Sequence, residues 1–163
     1  MVLLRTLMMG GIDGIITIFN IISGIEGSNL NSKYIFIIGI AAILSDAISM
    51  GTGEYVSVKA DMKYKQNRDI NPIKNGVVMF LSFVSFGCIP LIIYYLITQM
   101  NVKNRYINTY ISIIIALFIL GTIKSKYTKE KWYISGASTS MYGGVASFVA
   151  YNVSKFVSNI NLK

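Results

Sequence analysis

Apolar residues along the chain gather into five long runs, at roughly 7–27, 34–58, 73–98, 106–124 and 132–158, separated by short polar segments. Each run reaches or approaches the roughly 20 residues that cross a bilayer as a helix. The intervening segments "SNLNSK", "KADMKYKQNRDIN", "QMNVKNR" and "KSKYTKEK" read as turns, and none is long enough to be a domain. The pattern predicts an all-α integral membrane protein, a single transmembrane domain over 1–163 with five transmembrane helices. Pro72 is expected at a helix start, and Pro90, inside the third run, is expected to kink its helix. The first apolar run passes through Gly10, Gly11 and Asp13 into further apolar sequence, too long for the core of a cleaved signal.

Composition supports this reading. Hydrophobic residues make up 53% of the chain and charged residues 13%, about half the charge of an ordinary soluble domain. Mean hydropathy is +0.57. The net charge of +8 comes from 15 Lys and Arg against 7 Asp and Glu. On a soluble protein such an excess would suggest nucleic acid. Here the cations lie between apolar runs, the pattern of cytoplasmic loops, so no nucleic-acid partner is expected. Arg5, the cluster Lys59, Lys63, Lys65, Arg68 and Lys74, and the cluster Lys124, Lys126, Lys129 and Lys131 fall on one side of a five-pass topology. Lys33, Lys103, Arg105, Lys155 and Lys163 fall on the other. The asymmetry predicts a cytoplasmic N-terminus and a C-terminus outside or in a lumen.

There is no histidine, and Cys88 stands alone inside an apolar run, where it reads as a small packing residue. No nucleophile–base pair stands out, so an enzyme is not expected. Any metal site must use carboxylates, thioethers, amides or backbone carbonyls. Asp13 in the first run and Asp46 and Glu54 in the second are the acids assigned to membrane depth. A carboxylate there costs at least a few kcal/mol unless it is paired, hydrated or protonated, so its presence points to function. The alternative is a structural role, with the acids hydrogen-bonding helices together.

Asp46, Met50 and Glu54 recur every four residues and form one stripe on the second helix, flanked by Ser49, Gly53 and Ser57. Asp13, Thr17, Asn20 and Gly24 share a face of the first. These polar faces are expected to point inward, towards each other or a water-filled path. With the helices centred near residues 17 and 46, Asp13 and Met50 fall together about 6 Å to the cytoplasmic side of the midplane. Thr17 and Asp46 fall at the midplane, and Glu54 near the cytoplasmic end. Carboxylate oxygen suits ferrous iron and manganese, and a thioether adds softness that magnesium or calcium would not favour. Two small-residue faces complete the pattern: Gly10 with Gly14, and Gly136, Ser140 and Gly144 beside Thr139, Gly143 and Ser147. Such faces serve dimerisation or packing within one protomer.

The segments "GGIDGIITIFNIISGIEGS" and "GIAAILSDAISMGTGEYVSVKAD" resemble the first two helices of the vacuolar iron transporter family. "NPIKNGVVMFLSFVSFGCIPLIIYYL" resembles its third helix and "SGASTSMYGGVASFVAYNVSKF" its glycine-rich last helix. The resemblance covers nearly the whole chain, with "SDAISMGTGEY" its most specific part. It implies a five-helix fold, a homodimer, and export of ferrous iron or manganese from the cytoplasm in exchange for protons. It assigns the transport aspartate to Asp13 and the transport methionine to Met50, and matches Asp46 and Glu54 to acidic positions of shorter, nodulin-like and bacterial members. It implies a vacuole-like or other endomembrane in a eukaryote and the plasma membrane in a prokaryote. Two departures stand out. Ala42 occupies a place that is acidic in some members, and the connection from Lys59 to Lys74, with only Asp61 and Asp69 as acids, is too short for the Glu-rich cytoplasmic metal-binding domain of others.

The mechanism so implied has metal passing Glu54, binding Asp13 and Met50, and leaving past Asp46. Protonation of Asp13, Asp46 and Glu54 would release metal and return protons. Iron and manganese are substrates here, and no resident cofactor is expected. The rivals are a non-transporting binding or structural membrane protein and a passive cation channel.

Overall fold

Asparagine side chains accept from backbone N–H groups where two of the helices begin. In the computed structural model, which describes residues 2–65, 70–100 and 104–160, five helices follow one another. They are α1 (Val2–Gly27), α2 (Lys33–Lys65), α3 (Pro72–Gln99), α4 (Arg105–Thr128) and α5 (Trp132–Ser158). No strand is present among the described residues. Asn71 caps α3, its side-chain oxygen accepting from the Lys74 N–H at 3.2 Å, with Pro72 in the first turn, where its missing N–H costs nothing. The helix continues through the buried Pro90 to Gln99.

One boundary expectation is corrected. The segment beginning "KADMKYK" is not a turn but the end of α2, which runs to Lys65. Lys, Ala and Met are strong helix formers. A helix leaving a membrane keeps its hydrogen bonds while its side chains turn polar, so hydropathy marks the edge of the apolar run rather than of the helix. For the same reason α4 persists through Lys124 and Lys126 to Thr128, and α1 begins at Val2, ahead of Arg5 and Thr6. Arg68, Asp69, Lys103 and Lys163, used in the charge and connection arguments, lie outside the described residues.

The helices alternate in direction. Thr6 of α1 meets Glu54 of α2 and Asn75 of α3, while at the other end Glu26 meets Tyr94 of α3 and Arg105 of α4. The N-terminal end of α1 therefore carries Arg5, Lys59, Lys63, Lys74 and the lysines of the α4–α5 turn, and we call it the basic end. α1 is the central helix and packs against all four others. Its Ile15, Ile18, Phe19 and Ile22 are at most 1% exposed and join Phe83, Tyr94, Ile113 and Leu117 in one core.

Both small-residue faces pack within the protomer. Gly10 and Gly14 lie against Met79, Phe83 and Gly87 of α3. Gly136 and Gly144 abut Phe118 and Ile114 of α4, and Gly143 abuts Leu117 of α4 and Ile16 of α1. Ser147 shares a 2.5 Å hydrogen bond with Ser23, and Ser140 donates to the Ile114 carbonyl at 3.3 Å.

Among the described residues, four helical segments are long and apolar enough to cross a membrane: Leu3–Gly27, Lys33–Tyr64, Pro72–Gln99 and Arg105–Lys126. Ile37, Ile40, Leu44 and Ile48 on α2, and Ile107, Ile111, Ile115 and Ile119 on α4, stand exposed along the outside. α5 spans 27 residues and is not one of these four segments; its Ser, Thr and Gly residues form the inner face. Its outer face is apolar, with Met141, Val145, Phe148, Val149 and Phe156 exposed. Trp132 and Tyr133 stand exposed where α5 begins, at the basic end.

Candidate metal pathway

A cavity of about 970 Å³ opens at the basic end between α1, α2 and the end of α4. The first four turns of α1 contribute Leu4, Arg5, Met8, Met9, Ile12 and Asp13, α2 contributes Met50, and the α4 end contributes Lys124, Lys126, Thr128 and Lys129. The structure thus brings Asp13 and Met50 to one cavity. The reason is local: helical spacing sets Arg5, Met9 and Asp13 on one side of α1, and that side is left uncovered between α2 and α4. Asp13 is exposed to the cavity and has no hydrogen bond or ion pair among the described residues. A carboxylate oxygen and a thioether sulfur are two donors suited to a borderline divalent ion.

The other two expected residues are placed differently. Asp46 is half-buried, receives a 3.2 Å hydrogen bond from Ser45, and lies within electrostatic range of Asp13. It is not among the cavity-lining residues. Glu54 is half-buried and accepts from the Thr6 hydroxyl at 2.8 Å; the same hydroxyl is 3.2 Å from the Asn75 side-chain oxygen. Thr6 and Asn75 are each 2% exposed, so Glu54 stands at a buried polar junction of α1, α2 and α3. Among the described residues, no three Asp, Glu, His or Cys side chains come together as a metal site. One protomer therefore offers Asp13 with Met50, and Asp46 one step away, rather than a closed cage.

The expectation that the polar faces of α1 and α2 point inward, towards each other or a water-filled path, fits Asp13 and Met50 but not the rest of either face. Gly24 faces Ser154 of α5, so the α1 face turns from α2 towards α5 beyond its middle. Ser49, Gly53 and Ser57 of α2 are exposed rather than inward, and Gly53 has no atom within 4 Å of where a Cβ would stand. A stripe of four-residue spacing drifts around a helix of 3.6 residues per turn. Spacing alone does not say which neighbour each end of the stripe meets. The Asn20 side-chain oxygen is buried without a hydrogen-bond partner among the described residues, two turns beyond Asp13 on α1. It is an additional oxygen donor in the bundle interior.

Sequence reasoning missed Glu26, a fourth acid, at the end of the first apolar run. It accepts from the Tyr94 hydroxyl and pairs with Arg105 Nε at 3.1 Å, while the Arg105 guanidinium lies 6.0 Å from the centre of the Tyr94 ring. Tyr94 is fully buried. The three residues clamp α1, α3 and α4 at the end opposite the cavity. The available signal was an acid closing one apolar run and an arginine opening another on the same side. Glu26→Ala removes the acceptor of Tyr94 and the counter-ion of Arg105 together. It is expected to destabilise the fold by about 1–3 kcal/mol, read as a lower thermal midpoint in detergent, with Glu26→Gln less affected because it keeps an acceptor for Tyr94.

A sequence profile of the VIT family matches residues 4–68 and 60–155 of the chain. The chain belongs to the VIT family. It is 28% identical over 217 residues to a vacuolar iron transporter of Plasmodium berghei (strain Anka), an alignment covering 91% of this chain and 80% of that protein. It is 28% identical over 225 residues to one of Plasmodium falciparum (isolate 3D7), covering 96% and 82%. It is 23% identical to vacuolar iron transporter 1 of Oryza sativa subsp. japonica, covering 94% and 84%. The VIT relatives are transporters, not enzymes. These alignments exceed the 163 residues of this chain, so the relatives hold extra residues inside the matched region. The two VIT blocks overlap at residues 60–68, which begin in the last turns of α2.

Proposed function

We propose that this VIT-family chain carries divalent transition metal, ferrous iron or manganese, out of the cytoplasm. Asp13 and Met50 form its transport site, Asp46 stands on the exit side and Glu54 towards the entrance. The observation that carries the reading is one cavity, open at the basic end, that holds both an unpartnered carboxylate and a thioether. The relatives' name, vacuolar iron transporter, supports iron as a substrate and a vacuole-like or other endomembrane as the site. Ferrous iron and manganese both accept carboxylate oxygen with a soft partner.

The orientation follows the positive-inside rule, with the basic end and the N-terminus cytoplasmic and the C-terminus across the membrane. The apolar outer face of α5 and its interfacial Trp132 and Tyr133 support a fifth crossing, since hydropathy averaged around a helix understates one that hides its polar side against protein. The exposed Ser49, Gly53 and Ser57 of α2 support a homodimer joined through that face, completing the partial ligand set of each protomer. Asp13, Asp46 and Glu54 serve as proton carriers: a carboxylate that binds metal cannot hold a proton at the same time, so protonation on the acidic side releases metal and returns a proton.

The test is uptake of ferrous iron and of manganese into proteoliposomes with and without an imposed pH gradient. An antiporter accumulates metal against its gradient only while the acidic interior is maintained. Flux that continues down the metal gradient after the pH gradient collapses would assign a passive channel, and no flux of either metal would leave a binding or structural protein.

A further inference from the structure

Two buried polar side chains stand beside the proposed pathway without lining it. Thr6 and Asn75 are each 2% exposed, and both reach towards Glu54 where α1, α2 and α3 meet. Glu54 stands one turn from Met50 on α2, about 6 Å along the axis at 1.5 Å per residue. It does not line the cavity that Met50 lines; its carboxylate is turned into this junction instead. Three oxygen atoms follow one another there. Thr6 Oγ1 lies 2.8 Å from Glu54 Oε1 and 3.2 Å from Asn75 Oδ1. The Asn75 amide presents its oxygen to Thr6 because its Nδ2 donates to the Asn71 carbonyl at 3.0 Å.

A hydroxyl carries one hydrogen. The Thr6 hydroxyl can therefore serve Glu54 or Asn75, but not both at full strength. With Glu54 docked, the Asn75 oxygen is the acceptor left over. With Glu54 withdrawn, the same hydrogen turns to Asn75 and stays paired. Undocking the carboxylate thus leaves no buried donor bare, which is the usual obstacle to breaking a buried hydrogen bond. The backbone beside the junction is fixed. A Cβ at Gly76 would stand 2.7 Å from the Gly51 carbonyl oxygen, and one at Gly51 would stand 3.0 Å from that of Gly76. The exchange is accordingly a rotation of side chains, and the half-buried Glu54 has an open side to rotate into. We infer that Thr6 and Asn75 are positioning residues for Glu54. Thr6 holds the carboxylate docked, away from the cavity, and Asn75 is the stand-in acceptor that lets Thr6 release it to a divalent cation approaching Met50. This rests on the transport reading for what the released carboxylate meets, whereas the docking belongs to the resting chain. Only the undocked fraction meets metal, and apparent affinity scales with that fraction. The two neighbours of Glu54 therefore act with opposite signs.

Two measurements on the full chain test this. Manganese uptake into proteoliposomes gives KM and the maximal rate. Modification of Glu54 by a water-soluble carbodiimide with glycine ethyl ester, read by peptide mass spectrometry without metal, gives its availability directly. Thr6→Val removes the hydroxyl and should lower KM and speed the modification, each by about threefold to tenfold. Asn75→Leu removes the stand-in acceptor and should move both the other way by a similar factor. The double variant should match Thr6→Val, because Asn75 acts only through the Thr6 hydroxyl, and Thr6→Ser should behave as the native chain does. The KM shifts should come without loss of maximal rate, which damage to the fold would lower. Shifts of the same sign in Thr6→Val and Asn75→Leu, or unchanged modification of Glu54 in Thr6→Val, overturn the inference. If Asn75→Leu does not fold, Thr6→Val against Thr6→Ser decides. Opposite shifts in modification in a chain that moves no metal uphold the docking and sink the transport reading instead.

Discussion

Asp13→Asn is expected to abolish ferrous-ion and manganese uptake in proteoliposomes, together with the proton movement that uptake drives. The substitution keeps the size of the side chain and one oxygen but removes the only negative charge that the described residues bring to the cavity lining. No replacement ligand set stands nearby, because among the described residues no three Asp, Glu, His or Cys side chains come together. Loss of a residue that merely orients a ligand lowers metal affinity about 10–100-fold, and loss of the ligand itself should exceed that. Glu54→Gln gives the contrasting result. Its carbonyl still accepts from Thr6, so the junction with Asn75 persists, and a residue on the approach rather than at the site should lower flux without stopping it. Thermal melting separates these outcomes from unfolding. An unpartnered carboxylate at membrane depth is costly, so Asp13→Asn should melt at or above the temperature of the native chain. Unchanged flux in Asp13→Asn would remove this residue from the pathway.

The helices and the pairing of Asp13 with Met50 at one cavity were legible in the sequence because a membrane imposes two strong regularities. Apolar runs must be about as long as the bilayer is thick, and helical rise converts residue number into depth. Rotation about each helix axis was not legible. Nothing in the spacing of Asp13, Thr17, Asn20 and Gly24 says that Gly24 meets Ser154 of α5, since five helices offer several neighbours to any one face. The small-residue ladders were equally ambiguous. Gly10, Gly14 and Gly143 read the same whether they receive a partner protomer or, as the structure has it, α3 and α4 of their own. Glu26 was missed for a different reason. Its partners Tyr94 and Arg105 are 68 and 79 residues away in the chain, and only the folded bundle sets them beside it.

The second large effect expected is on the fold itself, from Gly14→Ala. A Cβ at Gly14 would stand 2.7 Å from the Phe83 carbonyl oxygen, 3.2 Å from the Gly87 amide nitrogen and 3.4 Å from the Gly87 Cα. All three are backbone atoms of α3, so no side-chain rotation relieves the clash and the helices must separate. Overpacking of this kind costs typically about 1–3 kcal/mol, and here it acts on the contact that seats the central helix. Gly14 also adjoins Asp13, so a displaced α1 carries the carboxylate proposed for transport away from Met50. Gly14→Ala should therefore lower the thermal midpoint and metal flux together, whereas Asp13→Asn should lower flux alone. Gly53→Ala supplies the opposite case. It meets no atom of the protomer within 4 Å, and alanine is favoured over glycine in a helix by about 1 kcal/mol, so the protomer fold should be unharmed or strengthened. If two protomers join through the exposed face of α2, the added methyl group should instead shift the monomer–dimer balance seen by size-exclusion chromatography with light scattering. An unchanged balance would place the dimer contact elsewhere on the bundle.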